Sequence, residues 1–184
     1  MSAIAPSDVA VVILNWNGRN HLETYLPSVL THTPLDSQVW VVDNGSSDES
    51  VAWLKTHHGD RIQVVELNQN HGFAEGYNRG LTHIEADMYV LLNSDVRLDG
   101  PWIEPVLKVM DSRDWDVASP LMVQDERPSM CDHAGAAGGW MDKDGYPFCL
   151  GRLFQSVETV DDWLTQNREV FWASGACFFI RKSA

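Results

Sequence analysis

The chain has 184 residues, 44% of them hydrophobic and 21% charged, which is the usage of a globular domain and excludes a disordered or fibrous protein. Thirteen Lys and Arg stand against 26 Asp and Glu, a net charge of −13 that argues against a nucleic acid or an anionic membrane as partner, since both want a basic face. The length suits a single α/β domain over 1–184.

The N-terminal MSAIAPSD has neither a basic nor an apolar segment of a secretion signal, and no run reaches the roughly 18 apolar residues of a membrane span. VAVVILN (9–15) is a β-branched apolar strand that stops at the turn signal Asn-Trp-Asn-Gly. HLETYLPSVL (21–30) places Leu22, Tyr25, Leu26, Val29 and Leu30 at helical spacing. VWVVDN (39–44) predicts a second strand. Ser46 and Glu49 have capping-box spacing, which predicts a helix from about residue 47. IQVVEL (62–67), FAEGYNRGLTHI (73–84) and MYVLLN (88–93) read as strand, helix and strand. Alternation of this kind predicts a parallel, doubly wound sheet with right-handed crossovers. Past residue 100 the expected elements are a helix in PWIEPVLKVM with Pro101 near its first turn, a short strand in DVASP, irregular structure over 121–158, and a final apolar segment FWASGACFFI. The cysteines Cys131, Cys149 and Cys177 show no metal-ligand spacing and read as reduced thiols of a cytosolic protein.

Ligands of open parallel sheets bind at the carboxyl ends of the strands, so polar residues there are the ones to read for chemistry. The first strand ends in Asn15-Trp16-Asn17, the second in Asp43-Asn44-Gly45-Ser46-Ser47-Asp48, and the fourth in Asn93-Ser94-Asp95. GxxxxGK[ST] is absent, and no GxGxxG follows the first strand, so P-loop and dinucleotide-binding readings fail. Gly72, Gly76 and Gly80 recur every four residues along the third helix. A phosphate site is available instead through Mg²⁺ or Mn²⁺ on Asp95, because such ions take one or two carboxylates and complete their shell with diphosphate oxygens.

In this order, VVILNWNG, VVDNGSSDES, NHGFAEGYNRG, LLNSDV and WASGACFFIRKSA resemble the successive motifs of family 2 glycosyltransferases, with HAGAAGGWMDKDGYPFCLGRLF (133–154) resembling the bacterial rhamnosyltransferase-like subgroup. The resemblance implies the GT-A fold, a mostly parallel Rossmann-like sheet flanked by helices. It divides the domain into a nucleotide-binding part over 9–100 and an acceptor-side part over 101–184. It also implies inverting transfer from a nucleotide-diphosphate sugar to a saccharide or lipid-linked saccharide, in bacterial surface polysaccharide synthesis. The setting implied is the cytoplasm, at the inner face of the membrane with at most peripheral contact, and without nucleic acid.

Residue by residue, the resemblance assigns Asn15, Trp16 and Asn17 to the base. Asp43 goes to the base or ribose, with Asn44, Gly45, Ser46 and Ser47 behind it. Gly72, Phe73, Asn78 and Arg79 go to the ribose and diphosphate. Asn93-Ser94-Asp95 matches the Asp-x-Asp metal motif, with Asp95 as the main ligand to Mn²⁺ or Mg²⁺, and Ser174, Gly175 and Ala176 match a loop facing sugar and acceptor. Plainer readings stand beside these: Asp43 and Asp48 as turn and cap residues, Asp95 as a surface residue, and Trp16 as core. Asn78 and Arg79 also read as a solvated helix face, Arg97 as an ion-pair partner, His71 and His133 as non-ligands, and Tyr146, Phe148 and Phe154 as packing. The family's general base lies in an acidic motif beyond the SGA segment, so the catalytic base is expected past Ala184 and the chain reads as a truncated transferase. A non-catalytic nucleotide-sugar-binding module and a nucleotidyltransferase are the competing functions.

Overall fold

The computed structural model describes residues 4–153, 155–162 and 167–184. They form two compact units, Met1–Val117 with Phe179–Ala184, and Ala118–Phe178.

The first unit is an α/β layer structure. Its strands are β1 (Val9–Asn15), β2 (Gln38–Asp43), β3 (Gln63–Glu66), β4 (Met88–Leu92), β5 (Val117–Ala118) and β10 (Cys177–Arg181). Its helices are α1 (Arg19–His32), α2 (Ser50–His58), α3 (Phe73–Leu81) and α4 (Ile103–Arg113). The sheet order is β3-β2-β1-β4-β10-β5, with β1 parallel to both β2 and β4, and β2 parallel to β3. The chain moves outward from β1 to β3 and then crosses to β4 on the other side of β1. The strand order therefore reverses at β1, the kind of position at which open α/β sheets bind ligands beyond the carboxyl ends of their strands.

The expected elements from β1 to β4 are present, with ends that shift by one to three residues; α1 is longer than expected and α3 stops at Leu81 rather than at 84. The helix expected from about residue 47 begins at Ser50, because Ser46 does not cap it. Asp48 does so instead, its Oδ1 accepting from the Ser50 amide at 3.0 Å and from the Ser50 hydroxyl. Pro101 precedes α4 rather than opening its first turn.

Successive strand residues face opposite sides. Ala10 and Val12 of β1 join Val42, Val65, Tyr77, Ile84, Ala86 and Tyr89 in one core cluster under α3. Small residues let that helix come close. A Cβ built on Gly80 would sit 2.4 Å from Val42 Cγ2, and one on Gly76 would sit 2.9 Å from Asn44 Nδ2. Two of the three glycines in that four-residue period, Gly76 and Gly80, are thus packing surface. At the far edge Arg181, only 5% exposed, bonds Asp111 Oδ1 at 2.7 Å and the Trp115 carbonyl at 3.2 Å, fixing the end of β10 to the end of α4.

The second unit contains structure where an irregular segment is expected. β6 (Gly139–Met141) and β7 (Pro147–Cys149) form a hairpin with Trp140 opposite Phe148, and β8 (Arg152–Leu153) pairs with β9 (Ser156–Val157). The glycines of AGAAGG make room for one indole: a Cβ on Gly139 would lie 2.1 Å from the Trp172 ring, and one on Gly135 2.7 Å from it. Trp140, Tyr146 and Phe148 are exposed, and Phe154 lies outside the described residues.

Cys131 and Cys177 are buried, Cys149 is half-buried, and all three are free thiols. Burial pushes the Cys177 thiol from 9.0 up to about 12. The folded protein therefore holds this proton more tightly than the unfolded chain. The stabilisation it gives is complete below pH 9 and falls away as pH rises toward 12. In the native protein one thiol, Cys149, is expected to react promptly with Ellman's reagent, the other two reacting only after denaturation. Three fast thiols would contradict this burial.

Candidate functional site

The last residues of β1 and β2 lie side by side in register, Asn15 against Asp43, and both are buried, at 0% and 3% exposure. Asn15 Nδ2 donates to Asp43 Oδ1 at 2.9 Å and to Ser46 Oγ at 3.2 Å, and the other Asp43 oxygen accepts from the Ser46 amide at 2.9 Å. Among the described residues this buried carboxylate is held by two hydrogen-bond donors, the Asn15 side-chain amide and the Ser46 backbone N–H, one on each oxygen.

Asn17 crosses between the same two loops. It sits at φ 50°, a left-handed conformation that Asn tolerates better than most residues. Its amide donates to Ser46 Oγ at 2.9 Å, and its Oδ1 accepts from the amides of Ser47 at 2.7 Å and Asp48 at 3.3 Å. Asp48 also accepts from the Arg19 amide at the start of α1. The slight desolvation of Asp48 pushes its carboxyl up. Hydrogen bonds from the Ser50 hydroxyl and from the Arg19 and Ser50 amides outweigh this and hold it below the usual carboxylate range. Ser46, read from sequence as a cap, is instead the bridge between the loops. No spacing in the sequence signals that role, because its partners Asn15 and Asn17 lie about 30 residues away.

One atom in this cluster lacks a partner: among the described residues, buried Asn15 Oδ1 accepts no hydrogen bond. The position a Cβ would take on Gly18 lies 2.5 Å from that oxygen and 3.9 Å from Ser94 Oγ. Gly18 is thus required by the Asn15 side chain, and the ends of β1 and β4 approach each other there.

Asn44, 2% exposed, secures the third loop. Its Nδ2 donates to Asn70 Oδ1 at 3.1 Å and to the Gly72 carbonyl at 2.9 Å, and its Oδ1 accepts from the His71 amide at 3.0 Å. Gly72, at φ 80° and ψ −173°, adopts a conformation open essentially to glycine, and a Cβ there would meet nothing within 4 Å. Phe73 is 56% exposed and meets Tyr77 edge-on at 5.1 Å, and Trp16 is 57% exposed, so neither is core. Asn78 and Arg79 lie on the exposed face of α3, where Arg79 Nε bonds Glu75 Oε1 at 2.7 Å. Arg97 faces Asp99 at 3.7 Å, as in the ion-pair reading.

Asn93 and Ser94 are half-buried after β4, and Asp95 is exposed with no hydrogen-bond or ion-pair partner among the described residues. An unpaired carboxylate beside an amide oxygen is a hard-oxygen donor set of the kind Mg²⁺ and Mn²⁺ accept. No group of three or more His, Cys, Asp or Glu ligands stands together among the described residues. The residues present therefore fit a cation that takes most of its shell from its ligand's oxygens rather than from a protein cage. Asp43, Asp48 and Asp95 make this edge acidic, and a divalent ion reverses the local field for an anionic ligand.

Ser174, Gly175 and Ala176 belong to the second unit. Ser174 Oγ lies 3.1 Å from His133 Nε2, and His133 Nδ1 lies 3.1 Å from Asp132 Oδ2, a connection that the sequence reading of His133 as an isolated histidine missed.

The sequence pattern of the family described as Glycosyl transferase family 2 matches residues 10–184. The chain belongs to that family. Among its relatives, the undecaprenyl-phosphate 4-deoxy-4-formamido-L-arabinose transferase of Sodalis glossinidius is 32% identical over 119 residues, 61% of this chain and 36% of the relative. The succinoglycan biosynthesis protein ExoU of Rhizobium meliloti is 30% identical over 97 residues, covering 52% and 28%. The transferase chain thus spans about a third of the curated relatives it matches. In fold it resembles Staphylococcus aureus TarS in complex with UDP-GlcNAc, at TM-score 0.57 and 19% identity over 70% of this chain and 39% of that one. The fold is that of the GT-A glycosyltransferases. No helix of the described residues is long and apolar enough to cross a membrane.

Proposed function

We propose that this transferase moves a sugar, with inversion, from a nucleotide-diphosphate donor to a saccharide or lipid-linked saccharide acceptor in bacterial surface polysaccharide synthesis. We place the reaction in the cytoplasm at the inner membrane face. Both units act as one domain, with the nucleotide part over 9–100 and the acceptor part over 101–184. The observation that carries the reading is the buried Asn15–Asp43–Ser46 cluster at the reversal of the sheet, with an orphaned acceptor at its centre.

That geometry supports the following roles. Asp43 is fixed in place and remains an acceptor for N–H or O–H groups of the base and ribose. Asn15 holds the Asp43 carboxylate in place from the end of β1, Trp16 and Phe73 offer exposed rings for stacking, and Asn17 holds the two loops together. Asn44 sets the Gly72–Phe73 turn, where the missing Cβ leaves backbone open to the diphosphate, with Asn78 and Arg79 next on the same helix. Asp95, with Asn93 and Ser94 beside it, would hold the divalent cation, which when bound stabilises the departing diphosphate as a Lewis acid. Ser174, Gly175 and Ala176 face the sugar and acceptor.

Calorimetric titration with UDP, dTDP and GDP, each with and without Mn²⁺, tests the reading. One nucleotide is expected to bind in a metal-dependent way, and Asp95→Ala is expected to weaken it at least about tenfold. Equal binding without metal, or full affinity in Asp95→Ala, would remove Asp95 from the site.

A further inference from the structure

The second unit contains a hydrogen-bond chain that the proposed transfer leaves unused: Asp132 Oδ2, His133 Nδ1, His133 Nε2, Ser174 Oγ, each link at 3.1 Å. Its polarity follows from chemistry. An ionised carboxylate only accepts, so Asp132 takes the Nδ1 proton of His133. Neutral imidazole carries one N–H, so Nε2 is bare and must accept. Ser174 then spends its single hydroxyl proton on His133. One lone pair of Ser174 Oγ is met by the Ala176 amide at 3.3 Å, which leaves the second free. That remaining position takes a donor and repels another acceptor.

We propose that His133, set by Asp132, is a positioning residue that makes Ser174 a hydrogen-bond acceptor for a sugar hydroxyl of the acceptor substrate, and that discriminates against phosphate or carboxylate at that point. The assignment rests on the reading of 174–176 as the acceptor-side loop. The same three residue types form the nucleophilic relay of serine hydrolases, but there backbone N–H groups await an oxyanion. Here the Ala176 amide is turned onto Ser174 Oγ itself, which suits a fixed acceptor rather than an attacking group.

Two independent readouts test this. In ¹⁵N-labelled chain at about pH 8, where histidine is ordinarily neutral, long-range ¹H–¹⁵N correlation is expected to show His133 as the Nδ1–H tautomer. Asp132→Ala is expected to move it toward Nε2–H. In sugar transfer by the full-length protein, Ser174→Ala and His133→Phe are expected to raise the acceptor KM about five- to tenfold, with the donor KM unchanged and Ser174→Thr close to the parent. An Nε2–H tautomer in the parent protein overturns the proposal alone, whatever the activity. Stoichiometric labelling of Ser174 by a fluorophosphonate overturns it in favour of a nucleophile. The expected tautomer without any nucleotide-dependent transfer sinks the acceptor-loop reading, and with it the substrate half of the proposal.

Discussion

Gly45→Ala is expected to destabilise the protein by about 2–4 kcal/mol and to lower the melting temperature by roughly 5–15 °C. Two costs combine. Gly45 sits at φ +73°, where a Cβ strains the backbone by about 1 kcal/mol or more, and that Cβ would lie 2.5 Å from both Cα and the carbonyl carbon of Gln69. The obstacle is main chain, not the tip of a flexible side chain, so the loop after β2 and the loop before α3 must part. Asn70, which meets Asn44, is in the displaced segment. Nucleotide affinity is therefore expected to fall with stability, and thermal denaturation with calorimetry on one sample reads both. A melting point within about 2 °C of the parent would show that the approach is looser than 2.5 Å.

Asp43 gives a sharper contrast, because two substitutions separate packing from charge. Asp43→Ala removes the acceptor of the Ser46 amide and one acceptor of Asn15 Nδ2, at an expected cost of about 2–4 kcal/mol. Asp43→Asn is expected to cost only about 1 kcal/mol. The new side chain can still accept from the Ser46 N–H, and turning the Asn15 amide over presents Oδ1 to the incoming NH₂, leaving one Asn15 donor in the buried position Oδ1 now holds. Both changes are expected to lower nucleotide affinity at least about tenfold, Asp43→Asn doing so in a protein that melts normally. Retained affinity in Asp43→Asn would reduce Asp43 to a structural turn residue.

Periodicity and β-branched runs made the sheet and its helices legible, because β1, β2 and β4 are built on apolar β-branched or aliphatic runs that stop at polar turns, and even the short β3 keeps a Val-Val pair. The strand-end residues were legible for the same reason. What was not legible is how they pair. Ser46 and Glu49 match a capping box, yet Ser46 bonds Asn15 and Asn17 from across the sheet, and the local pattern carries no trace of a partner about 30 residues away. Arg79 at a ligand-binding motif is also a residue four places from Glu75, and the helix uses that pairing. His133 and Ser174 are 41 residues apart, so their contact is invisible to any spacing rule. The glycines of 134–139 read as irregular chain, whereas they serve the Trp172 ring, a long-range packing demand.

The lacing of the β1 and β2 loops through Asn17 and Ser46 bears on the thermodynamics of recognition. Loops that are ordered only by their ligand charge its affinity with the entropy of fixing them. Here the amides of Asn17, Ser46, Ser47 and Asp48 already have acceptors in the chain alone. These four amides are expected to exchange more slowly with solvent than unbonded loop amides, and on the proposed reading a nucleotide meets loops already ordered when the protein folds. On the proposed reading the donor's affinity is thus set in part at folding, and variants that unlace the loops are expected to weaken binding even where they touch nothing the nucleotide touches.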